Sequence, residues 1–561
     1  MTGQGAGLRT WGPSGAAGAI RRAQAVSHVA RQARCGPDEA EELLAGPVTR
    51  RAFLGAAGAG ALAVTVGAPR RPVPARRGRD CPRVIIIGSG IAGLGCAYRL
   101  WTRYGITAKV FEYNTVPGGR IRTLRGYFED GQIVEEHGEF INPEHTATLA
   151  LAKSFGLRLD NTDKYPPGTH PGRETMRFHG RKWPQAALNR DWHDWARELF
   201  HHAAYVTAPW PQLYNASNPG GRRFDHMSVT EWIDTYIPGG VASDFGAVCI
   251  AATADEYGGP AEETSALNLV YLLGQDASTP SGAQPHRAPQ LAGADEKWHI
   301  HGGNDQLITG LLARLPAGVL RLGERLVAIR PQPAGGYRCS FESAGRTRDV
   351  TADHVVLAIP FTLLRSVDLT RVPISPRHAR AIEEEPLGTN SKFFVQFSSR
   401  VWNAENATGN CFDDGVVQGG WDATSYQPGR AGILAALPGG ENGLGWGRRY
   451  GLTTHSGRPP ERMTDAYLRG FDALFPRVSR AFNGRSYFVW SPGDPHVLGA
   501  YSYLAVGQYT AFNGIQGQQE GNLHFAGEQT SLNFQGYVEG ALRSGYRCAA
   551  EVGAGRNPPR R

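Results

Sequence analysis

Three glycines and one acidic residue near the start of the chain have a spacing that could hold a phosphate-bearing ligand. The glycines are Gly88, Gly90 and Gly93, and the acidic residue is Glu112. In such a pattern the first glycine permits a tight turn, the second lets a pyrophosphate approach the backbone, and the third allows close packing of helix on strand. A carboxylate at Glu112 would accept hydrogen bonds from ribose hydroxyls and repel a 2′-phosphate, which disfavours NADP. This cluster alone does not distinguish NAD from FAD.

The elements around these residues predict how they are held. Residues 84–87 are apolar and β-branched, which is typical of a strand buried on both faces of a parallel sheet. Residues 94–101 predict a mostly apolar helix, and residues 108–111 predict a second strand that ends at the acidic residue. The start of that helix would offer free N–H groups and a positive dipole end to the phosphates.

Two further segments point to a particular family. Pro117-Gly-Gly-Arg120 follows the second strand, and Leu523-His-Phe-Ala-Gly-Glu528 stands near the end of the chain, before Gln535-Gly-Tyr-Val538. Together with the first cluster, these segments resemble the flavin monoamine oxidase family, which also includes L-amino acid oxidases and polyamine oxidases. The resemblance covers roughly residues 83–552 and implies FAD rather than NAD as the cofactor.

The resemblance implies a set of residues around FAD. Glu112 would bind the adenosine ribose, Arg120 would serve the pyrophosphate or flavin side, and Glu528 would bind the ribityl chain. Val538 would present its backbone to the isoalloxazine, and Leu326 would touch adenine through its main chain. The predicted cofactor-binding residues are Gly88, Gly90, Ala92, Gly93, Glu112, Gly118, Gly119, Arg120, Leu326, Glu528 and Val538.

The resemblance also implies three catalytic residues. Lys392 matches the family lysine that holds a water near flavin N5. Tyr501 and Tyr537 match the two aromatic walls that flank the amine in front of the flavin. Parallel aromatic faces suit this role because they orient an amine and accept its partial positive charge.

The chain departs from its relatives at informative positions. Animal-type monoamine oxidases carry a flavin-linked cysteine where this chain has Ala500, which implies non-covalent FAD. Amino-acid oxidases place an arginine where this chain has Ile141, and an apolar side chain cannot pair with a carboxylate. This argues against an ordinary L-amino acid substrate, although another arginine could reach in from elsewhere. His137 and Glu139, in the same stretch, match neither branch.

The function expected from these residues is FAD-dependent amine oxidation. A primary or secondary amine would become an imine and then an aldehyde, while O2 is reduced to H2O2. Three alternatives stay open: an L-amino acid oxidase with an unidentified carboxylate-binding arginine, a flavin dehydrogenase or desaturase that uses another acceptor, and a non-catalytic FAD-holding protein.

The predicted fold is α/β, with a discontinuous Rossmann-like FAD-binding domain and a mixed α+β substrate domain whose sheet covers the flavin. Residues 320–330 and 353–360 are predicted as strands that return to the FAD-domain sheet, and residues 392–397 as a strand of the second sheet, over the flavin. The FAD domain is assigned to residues 76–155, 296–374 and 515–561, and the substrate domain to residues 156–295 and 375–514.

Composition narrows the partners. Of the formal charge of +8, the nine arginines and four acidic residues of residues 1–75 contribute +5, which leaves about +3 for the rest. With no basic stripe interleaved with aromatics, a nucleic-acid partner is not expected. The seven cysteines form no CxxC pair, and His299 and His301 lack further ligands nearby, so no metal site is expected. The oligomeric state stays open, a homo-oligomer included.

Residues 1–75 are interpreted as an N-terminal extension and an export signal. Arg50-Arg51 precedes an uncharged Ala/Gly-rich run that ends before Arg70-Arg71, and this resembles a twin-arginine signal. The run is only weakly hydrophobic, so a stable membrane span is not expected. Export by the twin-arginine machinery would suit a protein that acquires FAD in the cytosol and crosses the membrane folded, and it predicts a secreted or extracytoplasmic enzyme.

Overall fold

The computed structural model describes residues 81–162, 173–274 and 296–554, together with residues 20, 23–28, 30, 31, 36, 37 and 40. The strands are β1 (Val84–Ile87), β2 (Lys109–Phe111), β3 (Thr123–Leu124), β4 (Val134–Glu135), β5 (Leu159–Asn161), β6 (Arg173–Phe178), β7 (Arg181–Lys182), β8 (Trp298–Ile300), β9 (Leu320–Arg321), β10 (Arg325–Pro331), β11 (Tyr337–Ser343), β12 (Arg346–Ala352), β13 (His354–Leu357), β14 (Lys392–Phe397), β15 (Ala407–Asp413), β16 (Gly419–Asp422), β17 (Gly432–Ala436), β18 (Ser456–Gly457), β19 (Phe482–Val489) and β20 (Leu523–Phe525).

The described α-helices are Ile91–Arg99, Thr146–Ser154, Gln185–Asp191, Arg197–Val206, Pro219–Asp225, Val229–Tyr236, Asp244–Tyr257, Ala266–Leu273, Gln306–Leu312, Phe361–Leu364, Pro376–Glu384, Gly440–Leu444, Trp446–Tyr450, Glu461–Leu474, Gln508–Phe512 and Val538–Gly553. Shorter 3₁₀ or π turns are Leu100–Tyr104, Glu129–Gly131, Trp192–Ala196, Gly240–Ala242, Val401–Glu405, Val478–Ala481, Ser491–Gly493 and Glu528–Thr530.

A five-stranded parallel sheet in the order β20-β13-β1-β2-β9 forms the centre of the predicted FAD domain. The predicted strand over 84–87 is confirmed, since β1 has these bounds and all four of its residues are buried. Its neighbour β13 and the edge strand β20 come from far along the chain. The Rossmann-like unit is therefore discontinuous, as predicted.

The C-terminal helix Val538–Gly553 completes this unit. It lies against the helix Ile91–Arg99 that follows the first glycine cluster, and the two backbones approach closely at Gly545. A methyl group added there would lie 2.1 Å from the carbonyl oxygen of Ala92. Only glycine therefore allows this contact between the two ends of the FAD domain.

The second large sheet has eight strands, in the order β18-β19-β14-β17-β16-β15-β6-β7. Its pairings are antiparallel except for the parallel pair of β15 and β6. The central strand β14 begins at Lys392, as predicted, and all six of its residues are buried. This sheet therefore brings the predicted catalytic lysine into the interior of the protein.

One strand prediction is partly wrong. Of residues 320–330, only Leu320–Arg321 joins the parallel sheet, as β9. The strand Arg325–Pro331 instead pairs with β11 in a separate three-stranded antiparallel sheet, β10-β11-β12. The physical reason is local, since β11 and β12 lie next along the chain and can pair with β10 through short turns.

Part of the N-terminal extension packs on the helices that follow residue 184. Ile20 and Ala23 are fully buried in the same apolar cluster as Trp192 and Phe200. The side-chain amide of Gln24 donates to the carbonyl oxygen of Leu273 at 3.3 Å. This contact was not expected from the sequence. The twin-arginine motif itself lies outside the described residues, and within the described ranges no helix combines the length and apolar composition needed to cross a bilayer.

We expect Ile20→Ala to weaken this contact by about 2 kcal/mol, because it removes a buried aliphatic side chain. A loss of that size should raise the population of the detached segment roughly 30-fold. The rate of tryptic cleavage within residues 20–31 measures this population when reclosing is fast. Gly36→Ala is the matched control, because a methyl group there meets nothing within 4 Å. Equal cleavage rates in the two variants would contradict the packing of this segment.

Candidate active site

The glycine-rich turn joins the end of β1 to the helix Ile91–Arg99. Gly88 has a φ of +100°, and a methyl group on it would lie 2.4 Å from the carbonyl oxygen of Ala358. A methyl group on Gly93 would lie 2.0 Å from the carbonyl oxygen of Gly88. These two glycines are therefore required by packing within the protein itself.

Gly90 differs from these two glycines. It is the N-cap of the helix, and the nearest heavy atom to a methyl group placed on it is the carbonyl oxygen of Gly118, 3.9 Å away. Among the described residues, no atom lies close enough to require glycine there. The open space above it, at the N-terminus of a helix, fits the close approach of a pyrophosphate.

This turn opens into a cavity of about 520 Å³. Its walls include every predicted cofactor-binding residue except Gly93, which lies beneath the turn and serves packing. The lining residues from that set are Gly88, Gly90, Ala92, Glu112, Gly118, Gly119, Arg120, Leu326, Glu528 and Val538. The predicted catalytic residues Lys392, Tyr501 and Tyr537 line the same cavity.

Glu112 is held in place at the carboxyl end of β2. Its carboxylate accepts hydrogen bonds from the backbone N–H of Ser89 at 2.7 Å, from the Ser89 hydroxyl at 2.8 Å and from the backbone N–H of Asn114 at 2.8 Å. The carboxylate is thereby fixed beside the glycine-rich turn, where a dinucleotide ribose would lie.

Glu528 joins three distant segments. One of its oxygens accepts from Arg120 Nη1 at 2.9 Å and from the backbone N–H of Ser502 at 3.1 Å. The other accepts from the Ser502 hydroxyl at 2.6 Å and from the backbone N–H of Gly536 at 2.8 Å. Sequence comparison indicated a ribityl contact for this residue but not these four bonds within the protein.

The two predicted tyrosines come from adjoining segments. Gly536, which precedes Tyr537, has a φ of +84°, and a methyl group on it would lie 3.4 Å from the Cβ of Tyr501. Tyr537 contacts the ring of His145 edge-on, with 5.1 Å between centroids. Burial raises the pKa of Tyr501, and the nearby Asp255 carboxylate raises it further, so the phenol stays neutral.

Lys392 makes a buried ion pair that the sequence analysis missed. Its Nζ lies 2.8 Å from Glu139 Oε2 and donates to the carbonyl oxygen of Glu135 at 3.1 Å. The second oxygen of Glu139 accepts from Trp421 Nε1 at 3.1 Å. The only signal is chemical: a buried lysine needs an acidic partner, but the sequence pattern does not show which acidic residue supplies it.

The histidines of this region are held by carboxylates or by burial. His299 Nε2 lies 2.8 Å from Glu135 Oε1, and both side chains are buried. His301 pairs with Asp160 on the surface. Burial, followed by the charge of Lys392, lowers the pKa of His137 to about 3, so this ring is neutral. The described residues contain no group of three or more acidic, histidine or cysteine side chains arranged to hold a metal ion.

The arginines that line the described part of the cavity all have acidic partners. Arg120 pairs with Glu528 at 2.9 Å, Arg122 with Glu136 at 3.8 Å, and Arg325 with Glu342 at 3.6 Å. Ile141, at the position where amino-acid oxidases carry arginine, is buried and does not line the cavity. Three acidic residues line the cavity near Tyr501: Asp255, Glu256 and Glu296.

The parallel sheet, the glycine-rich turn and the cavity that continues from it define a dinucleotide-binding protein. Comparison with known proteins gives the family. Residues 91–553 match the family of flavin-containing amine oxidoreductases, and the chain belongs to it. The protein is an FAD-dependent enzyme that acts on CH–NH bonds. The FAD is non-covalent, since Ala500 offers no nucleophile and no cysteine lines the described cavity.

Individual relatives agree with this family. The chain is 26% identical over 484 residues to a putative flavin-containing monoamine oxidase of Mycobacterium tuberculosis. The alignment covers 84% of this chain and 96% of the relative. It is 23% identical over 499 residues to an L-amino acid dehydrogenase of Synechocystis, and this alignment covers 84% of this chain and 94% of the relative. The structure of cyclohexylamine oxidase from Brevibacterium oxydans shares the fold, with a TM-score of 0.67 and 22% sequence identity. The superposition covers 85% of this chain and 99% of the oxidase.

Gly90→Ala and Gly93→Ala should separate cofactor binding from folding. In Gly90→Ala the methyl group has room in the protein but occupies the pyrophosphate space, so we expect the apoprotein to melt normally and to bind FAD about tenfold more weakly or worse. In Gly93→Ala the methyl group meets a backbone oxygen, so the apoprotein itself should melt at a lower temperature.

Thermal unfolding of apoprotein and titration with FAD, followed by flavin fluorescence, measure the two effects. Unchanged FAD affinity in Gly90→Ala would mean that the pyrophosphate lies elsewhere.

Proposed function

We propose that this protein is an amine oxidase that converts a primary or secondary amine to an imine and passes the electrons to O2. The observation that carries the proposal is the charge of the cavity. Each arginine that lines its described part is paired with an acidic residue, and Asp255, Glu256 and Glu296 line the wall near Tyr501. Such a wall favours a cationic or neutral ligand over a carboxylate.

FAD, when bound, supplies the two-electron chemistry. The glycine-rich turn and Glu112 would hold its adenosine and phosphate end, so the isoalloxazine would lie at the other end of the same cavity. Lys392, Tyr501 and Tyr537 line this cavity, and we assign them to its isoalloxazine end. We assign them the catalytic roles implied by the sequence.

Tyr501 and Tyr537 would orient the amine by their aromatic faces, and the neutral Tyr501 phenol adds no charge that would trap the product. The amine loses a hydride and a proton to become an imine, and water converts the imine to an aldehyde and ammonia or a smaller amine. O2 takes up two electrons and two protons to give H2O2. Lys392 would supply a positive group beside the site of oxygen reduction.

The relatives support both this substrate class and one rival. Cyclohexylamine oxidase and the monoamine oxidase relative are named for amines, and the Synechocystis relative is named for L-amino acids and for dehydrogenation. The test must therefore compare amines with amino acids and O2 with other acceptors.

We expect the flavin absorbance of the purified protein to bleach under anaerobic conditions on addition of an amine, and to recover on admission of air with release of H2O2. A panel of primary and secondary amines and of L-amino acids, followed by spectrophotometry and a peroxide assay, gives the measurement. Bleaching by amino acids alone would assign the rival activity. Bleaching without recovery in air would assign a dehydrogenase.

We also propose that the protein is exported by the twin-arginine machinery. The support is the Arg50-Arg51 pair ahead of an uncharged run, together with a cofactor that is acquired in the cytosol.

Replacement of both Arg50 and Arg51 by lysine should retain the protein in the cytoplasm. Immunoblots of cytoplasmic and exported fractions measure this. Replacement of Arg70 and Arg71 by lysine is the matched control, because it changes an equal number of arginines outside the motif. Export that survives in the Arg50/Arg51 variant would contradict the proposal.

A further inference from the structure

Lys392 and Glu139 both line the cavity, and their ion pair is shielded from water. The side chains are 6% and 3% exposed, and Nζ lies 2.8 Å from Oε2. The indole ring of Trp421 lies beside the ammonium group, with 5.2 Å from Nζ to the ring centroid. Charges in such a setting act strongly on their neighbours, because little water screens them.

The hydrogen bonds of Glu139 indicate what it does. One oxygen accepts from Lys392 and the other accepts from Trp421 Nε1 at 3.1 Å. Both oxygens of Glu139 therefore already accept a hydrogen bond from the protein. A substrate amine could bind this carboxylate only by displacing Lys392 or Trp421. The geometry suits a carboxylate that fixes and neutralises Lys392 better than one that binds substrate.

The other basic groups around this pair are paired or uncharged. Arg120 and Arg122 have their own acidic partners, and the His137 ring is neutral. A change of charge at Glu139 would therefore change the net charge of the wall by one unit.

We propose that Glu139 is a positioning residue that holds Lys392 in a neutral pair beside the flavin and thereby lowers the flavin reduction potential. The inference rests on the proposed function in one respect, that the isoalloxazine lies at the Lys392 end of the cavity. Two electrons and one proton convert oxidised flavin to its anionic reduced form, and a nearby carboxylate disfavours that added negative charge. The same carboxylate weakens the positive field that favours electron transfer to O2.

The test is the reduction potential of the FAD-loaded protein, measured by slow chemical reduction in the presence of a reference dye. No amine is used, so the result is independent of the substrate. We expect Glu139→Gln to raise the potential by about 30 mV, which corresponds to a tenfold change in the equilibrium of a two-electron couple. Glu139→Asp, which keeps the charge, should restore a potential close to that of the wild type.

Lys392→Met should lower the reduction potential, because it leaves the negative charge of Glu139 without its positive partner. The double variant should return towards the wild-type value. In stopped-flow reoxidation by O2 of chemically reduced protein, Glu139→Gln should react faster than wild type and Lys392→Met should react more slowly.

Asp422→Asn is the matched control. Asp422 follows Trp421 on β16, is equally buried and lies 3.4 Å from Arg400, but it does not line the cavity. We expect its potential to equal that of the wild type.

A potential that is unchanged or lower in Glu139→Gln would overturn the proposal. If that variant does not retain FAD, the decision passes to Lys392→Met, for which an unchanged potential would overturn the proposal. The two proposals can fail separately. If the reduction potential shifts as expected but only amino acids bleach the flavin absorbance, this inference stands and the proposed substrate class is wrong.

Discussion

The site depends on one buried carboxylate. Glu528 is almost fully buried and accepts four hydrogen bonds from Arg120, Ser502 and Gly536. A buried carboxylate without donors would be costly, so these segments must meet around it. The meeting places the arginine of the second glycine motif, the strand-to-loop segment that carries Tyr501 and the turn before Tyr537 in one wall. The part of the cavity that would hold the cofactor is thereby joined to the part that would hold the substrate.

Two buried carboxylates of this interior have basic side chains as partners. Lys392 pairs with Glu139, and Glu135 with His299, both out of contact with water. Pairing lets the protein place a cation where a redox reaction needs one without leaving its charge uncompensated. The cost is that each partner also changes the field at the flavin. The choice of partner therefore matters as much as the presence of the lysine.

The sequence predicted the parts of the site that depend on local pattern. The strand Val84–Ile87, the glycine-rich turn and the strand that begins at Lys392 follow from apolar runs and fixed spacings, and each is confirmed. The ion pair of Lys392 with Glu139 could not be read in this way, because it joins the first residue of β14 to a loop residue that follows β4, far away in the chain. The pairing of β10 with β11 was also missed, because apolar patterning does not choose between two available sheets.

The strand order has a consequence for how the protein is made. In the parallel sheet, β1 is completed early in synthesis, but its neighbour β13 and the edge strand β20 emerge much later. The first glycine motif is therefore synthesised well before its neighbouring strand β13 and the helix Val538–Gly553 are available to pack against it. Such long-range pairing is slow to form and leaves apolar strand edges exposed meanwhile. The nascent chain should therefore need a chaperone until residues 538–553 have been made, because only then is the cavity that would hold FAD complete.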